Sequence, residues 1–313
     1  MSRAFVFPGQ GSQAVGMGRE LAQAFAAARL VFEEVDEALK QNLSKLMFDG
    51  PEDELILTEN AQPALMAVSM AVMRVLEQQG NLDLAKAATF VAGHSLGEYS
   101  ALAASKAFTL ADAAKLLKTR GQAMQRAVPV GQGAMAALLG ADLDQARDIA
   151  AAAAQSEVCE AANDNAAGQV VISGNKAAIE RAIAIAAERG LKRCVLLPVS
   201  APFHCALMEP AARAMEEALA GIAIRKPVVP VVANVIASQV QEPDEIRRLL
   251  VRQVTGTVRW RECVLYMKAQ GVSQLVEAGA GKVLAGLVKR IDKEMSATAL
   301  NSPADLEAFL KTL

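Results

Sequence analysis

Two hydrophobic rhythms alternate along the chain. Short apolar runs predict buried strands at residues 3–7 and 88–92. Longer stretches, with apolar residues recurring every three or four positions, predict helices at 16–40, 62–79, 97–105 and 110–127. Strands alternating with helices in this way mark an α/β fold with a parallel sheet. Between residues 131 and 198 the rhythm changes. A strand at 133–140, an alanine-rich helix at 142–155 and a strand at 158–163 lead into a polar turn, Asn163-Asp164-Asn165. A strand at 169–173, a helix at 176–189 and a strand at 192–197 follow. The order β-α-β-β-α-β is that of a ferredoxin-like unit. The pattern therefore predicts a core of residues 1–130 and 199–313, interrupted by a small subdomain at 131–198. The core resumes with a helix at 208–220 and a strand at 228–232. It ends with two further helices and short strands near 273–276 and 297–300.

Composition narrows the function classes. Of 313 residues, 53% are hydrophobic and 21% charged, which excludes a disordered chain. Lys and Arg total 32 against 34 Asp and Glu. That balance excludes the broad basic surface that nucleic acid or an anionic membrane would need. No apolar run approaches the roughly 18 residues of a membrane span, and residues 1–9 carry no signal-peptide pattern. Cys159, Cys194, Cys205 and Cys263 form no CxxC pair, so they read as reduced thiols of a cytoplasmic protein with no metal site. Only two histidines are present, His94 and His204.

Candidate chemistry starts at Gly93-His94-Ser95-Leu96-Gly97. This GxSxG follows a predicted strand and opens a predicted helix, the context of a nucleophile elbow. The helix aims its N–H groups and positive dipole end at the turn, so the N–H of Leu96 would donate to an oxyanion formed beside Ser95. A serine needs a base. His94 adjoins Ser95 within the turn, where neighbouring side chains diverge. His204, in the turn-forming Pro198–Cys205, remains; a lysine base is the alternative. The glycine-rich Phe7-Pro8-Gly9-Gln10-Gly11-Ser12-Gln13 loosely matches a dinucleotide-binding turn. The acids near the expected distance, Glu33 and Glu34, fall inside a helical pattern, not at a strand end. The loop is better read as the second half of an oxyanion hole. By its spacing alone, Arg120 would lay its stem along the core edge with its head in water.

These residues resemble the malonyl-CoA:acyl carrier protein transacylase family. The resemblance rests on Phe7–Gln13, Gly93–Leu102, Arg120-Gly121, His204–Met208 and Gly279–Leu284, in order and spacing over residues 4–301. It implies an α/β-hydrolase-like core with a ferredoxin-like insert. It implies transfer of malonyl from malonyl-CoA, through an ester on Ser95, to the phosphopantetheine thiol of acyl carrier protein, feeding fatty-acid synthesis. By the same resemblance His204 is the base, Gln10 and Leu96 supply the oxyanion-hole N–H groups, and Arg120 pairs with the free carboxylate of malonate. The backbone carbonyl of Gln253 orients the histidine, and Gln62 lines the pocket. No cofactor is implied, and the family reading is of a monomer. Relatives serving polyketide assembly or malonate decarboxylase share these motifs. Two positions depart from the family pattern. Phe203 stands where a serine usually precedes the base, and its ring would exclude an α-methyl group. Val254-Thr255-Gly256-Thr257 replaces the usual Asn-Pro after Gln253. Lys282, Lys289 and Arg290 would suit docking of an anionic carrier, or equally form a solvated helix face.

Overall fold

The computed structural model describes residues 2–313. Ten strands form two sheets. In chain order they are β1 (Arg3–Phe7), β2 (Phe90–Gly93), β3 (Gly133–Leu139), β4 (Cys159–Ala166), β5 (Gln169–Asn175), β6 (Arg193–Leu196), β7 (Val231–Ala233), β8 (Ser238–Val240), β9 (Gln274–Ala278) and β10 (Ser296–Leu300). The larger sheet has the order β10-β9-β1-β2-β7-β8, parallel except for the antiparallel edge strand β8. The smaller is antiparallel with the order β4-β5-β3-β6, the arrangement of a ferredoxin-like unit.

The central strand β1 is buried on both faces. Phe5 and Phe7 enter the main apolar core, whereas Ala4 and Val6 enter a second core with Trp260 and Val264. That double burial explains why β1 reads as a continuous apolar run. The small sheet also has two faces. Met135 and Ala137 of β3 join the main core, while Ala136 and Leu138 pack with Ile149 and Ile179 of the covering helices Leu143–Ala154 and Lys176–Glu188. The inserted sheet thus closes against the core by one face.

Several elements differ from the pattern reading. Residues 163–165 do not turn: they are the second half of β4, and the chain reverses at Ala167-Gly168 instead. A polar stretch tolerates a strand here because other elements engage it. The backbone at Asn163 bridges Val258, the Asp164 carboxylate binds Arg261, and the Asn165 side chain binds His94. Register shifts beside them accommodate the irregularity. The helix expected at 16–40 starts at Arg19 and breaks at Phe25, whose extended φ of −130° separates Arg19–Ala24 from Ala26–Leu39. The helix expected from residue 62 starts at Thr58 and carries Pro63 within it. The strand expected at 228–232 is β7, beginning at Val231. Beyond it stand four helices, not two: Pro243–Thr255, Trp260–Ala269, Val283–Ile291 and Pro303–Leu310.

Candidate active site

The site lies at the carboxyl ends of three adjacent parallel strands, where open α/β sheets place their ligands. Gln10 follows β1, Ser95 follows β2 and Asn234 follows β7. The turn after β2 is as tight as an elbow requires. A Cβ at Gly93 would lie 1.9 Å from the backbone of Gly97, and one at Gly97 would lie 2.3 Å from the carbonyl oxygen of Phe7. No side chain fits at either position. The strand and the helix Gly97–Ala104 therefore meet, and Ser95 is held at φ 53°. A left-handed serine costs about 1–3 kcal/mol, which the surrounding packing must supply.

Ser95 Oγ lies 2.8 Å from His204 Nε2. His204 Nδ1 lies 2.9 Å from the backbone oxygen of Gln253. A carbonyl can only accept, so Nδ1 carries the ring proton and Nε2 is left to accept from the serine. Val254-Thr255-Gly256-Thr257 holds this carbonyl in place without an Asn-Pro. The helix ends at Thr255, and the Gly256 N–H caps the Arg252 carbonyl at 3.0 Å. Burial, with Arg120 second, pushes His204 down to about 3. The imidazole is thus neutral, the state a base requires. His94 faces elsewhere: its Nε2 is 2.8 Å from Asn165 Oδ1 and its ring is tilted against Trp260.

Arg120 is 1% exposed, contrary to a head in water. Gly121 explains how it enters. A Cβ there would sit 2.4 Å from Glu59 Cα, so the helix Leu110–Ala127 crosses the start of Thr58–Gln79 in backbone contact. The guanidinium donates to Gln62 Oε1 at 2.7 Å, Gln253 Oε1 at 3.0 Å and Ser95 Oγ at 3.1 Å. No carboxylate lies within ion-pair distance of it among the described residues, and its Nε has no partner. The Tyr99 ring centroid is 5.7 Å from its central carbon. Gln62 passes the order on: its Nε2 donates to Thr58 Oγ1 at 2.8 Å, which donates to Gln10 Oε1 at 2.9 Å. The loop bearing Gln10 is pinned against the elbow, since a Cβ at Gly9 would fall 2.8 Å from the His94 oxygen. The backbone N–H groups of Gln10 and Leu96 have no acceptor among the described residues, as an oxyanion hole would need.

Ser95, His204, Arg120, Gln10, Leu96, Gln62 and Gln253 therefore converge. Phe203, next to His204, is 8% exposed and packed in the main core with Ala201. Pattern reasoning missed Asn234 and Glu98, both buried and polar. Asn234 accepts the Ser95 N–H at 2.8 Å through Oδ1 and donates to the Gly93 oxygen at 2.8 Å through Nδ2. Nothing local in the sequence marks Asn234. Glu98 carried one signal: an acid within a helix turn that is otherwise apolar. Outside the site, Lys282, Lys289 and Arg290 are all exposed, and Arg290 also donates to Gln169 Oε1 at 2.8 Å.

Residues 4–302 match the family model described as acyl transferase domain. The chain is 47% identical, over 98% of both sequences, to the malonyl CoA-acyl carrier protein transacylase of Escherichia coli strain K12. A solved acyl-carrier-protein-S-malonyltransferase from Bartonella henselae superposes with a TM-score of 0.97 at 54% identity, covering 100% of this chain and 99% of that one. A malonyl-transacylase solved in complex with a type II polyketide synthase acyl-carrier protein gives 0.96 at 43% identity, with both chains fully covered.

Proposed function

The chain belongs to the acyl transferase family, and from that premise we propose that it transfers malonyl from malonyl-CoA to the phosphopantetheine thiol of acyl carrier protein, feeding fatty-acid synthesis. The observation that carries the reading is Arg120: a buried guanidinium without a carboxylate of its own, bonded to the nucleophile's oxygen. Such a cation asks for an anion at the reacting centre, and a planar fork matches a carboxylate bidentately. The free carboxylate of malonyl supplies that anion. An acetyl group does not.

In the first step Ser95 Oγ attacks the thioester carbonyl and its proton passes to His204 Nε2. The N–H groups of Gln10 and Leu96 receive the oxyanion. The C–S bond then breaks, and coenzyme A leaves with the proton from His204. In the second step the carrier's thiol gives its proton to His204, its sulfur attacks the Ser95 ester, and the serine oxygen leaves reprotonated. Splitting one transfer into two like steps is the gain of covalent catalysis. These steps ask for no cofactor. Every group they use sits in one chain, which supports a monomer as the working unit. Four free cysteines support a cytoplasmic location. Exposed Lys282 and Lys289 would meet the carrier's acidic surface. The deciding experiment is intact-protein mass spectrometry after malonyl-CoA. Wild type gains one malonyl group and loses it to a carrier thiol; Ser95→Ala gains none. A wild-type mass that never changes overturns the reading.

A further inference from the structure

Glu98 is a buried carboxylate that the two transfer steps do not use. It sits three residues after Ser95 in the first turn of Gly97–Ala104 and is 2% exposed. No cation lies within ion-pair distance among the described residues. Its Oε2 accepts the Asn234 N–H and the Gln253 Nε2–H, each at 2.9 Å. Those two residues grip the catalytic pair. Asn234 accepts the Ser95 N–H, and Gln253 donates through Nε2 to the Ser95 backbone carbonyl at 3.0 Å and accepts from His204 Nδ1 through its own backbone oxygen. A buried carboxylate without a cation costs stability, so its place here needs a reason other than stability.

We propose that Glu98 is a positioning residue of the transfer reaction, whose charge, acting through Gln253 and Asn234, does for His204 what a directly bonded carboxylate does in a Ser-His-Asp triad. It keeps base and nucleophile in register and favours the imidazolium formed as the serine proton moves. The inference rests on the reading of Ser95 and His204 as the acyl-transfer pair.

The groups whose charge reaches Glu98 are Arg120 from Leu110–Ala127, Cys263 from Trp260–Ala269, and Tyr99 on its own helix. Burial pushes Tyr99 up to about 12 and raises the Cys263 thiol, so both stay neutral. Burial outweighs Arg120 and the two hydrogen bonds at Glu98 and pushes it up to about 7. The charged form therefore appears as pH rises through about 7, and the acylation rate should rise with it. Stability runs the other way. The folded carboxyl holds its proton more tightly than the unfolded one, so stability falls as pH rises from 4.5 to about 7.

The test is Glu98→Gln. Both bonds end on one oxygen, so the amide oxygen keeps them and only the charge is lost. The single-turnover rate of Ser95 malonylation is followed by intact mass on either side of pH 7, with Tm measured at the same pH values. The expected result above pH 7 is a loss on the order of tenfold, no upward step near pH 7, and a Tm equal to or above wild type. An unchanged rate and profile overturns the proposal, and so does a rate loss that only follows a fall in Tm. Should the variant not fold, wild type decides: a flat rate from about pH 6 to 8 overturns the proposal, and a rise supports it. Wild type that takes up no malonyl overturns the proposed function itself.

Discussion

Two arginines reach into the polar interior, and they are balanced differently. Arg261, at the seam between the two sheets, binds both oxygens of Asp164, at 3.2 and 2.9 Å, and that carboxylate is 1% exposed on its side chain. The pair is closed: each charge has its counter-charge within the chain. Arg120 is as deeply buried as Asp164, yet every partner it has is neutral: Gln62, Gln253 and the Ser95 hydroxyl. The seam has used its electrostatic complementarity in folding. In the proposed function the site's cation is completed by the substrate carboxylate. An unpaired buried cation lowers stability, so on that proposal the difference separates a charge placed for architecture from one placed for binding.

The widest gap between the two regions comes from the nucleophile and its base. Ser95→Ala abolishes acyl-enzyme formation. His204→Ala loses on the order of 10³–10⁶ in rate, and the double variant loses little more, because such pairs act as a unit. Tm at neutral pH should barely move in Ser95→Ala. If His204→Ala kept more than about a tenth of the activity, His204 would not be the base. Because burial holds His204 near 3, Glu98→Gln, which lacks the carboxyl step near 7, should lose no rate as pH falls through 6.5.

Next comes Arg120→Ala, expected to cost malonyl transfer about 2–5 kcal/mol in kcat/KM and acetyl transfer little. The readout is the ratio of the two acyl-CoA substrates. Equal losses for both would place Arg120 with Arg261, as a structural cation. The reciprocal change, Arg261→Ala, should cost about 1–3 kcal/mol of stability and leave that ratio alone. Burial raises the Asp164 carboxyl despite Arg261. Acid therefore protonates the orphaned Asp164 readily, and the Tm loss should be smaller at acid pH than at neutral pH.

The smallest effect is expected at Phe203. If its ring borders the acyl α-carbon, Phe203→Ser raises methylmalonyl relative to malonyl transfer by roughly ten- to two-hundred-fold. A drop in Tm with an unchanged ratio would place Phe203 with the core it packs in.

The amino-acid sequence by itself determined more of this protein than its local patterns usually do. Gly93 and Gly97 announce the elbow because only glycine permits the contacts made there. With two histidines in the chain, elimination leads to His204. The inserted β-α-β-β-α-β order is legible because strand and helix periods are local properties. The tertiary structure decided what depends on residues far apart. Arg120 meets Gln253 across 133 positions, and Ser95 meets Asn234 across 139. No local rhythm encodes such pairings. For the same reason Asn163-Asp164-Asn165 reads as a turn and folds as a strand. Three adjacent polar side chains favour a turn when only water can satisfy them. In the folded chain Arg261 binds the Asp164 side chain, His94 binds that of Asn165, and the backbone at Asn163 bridges Val258; those partners come from other elements.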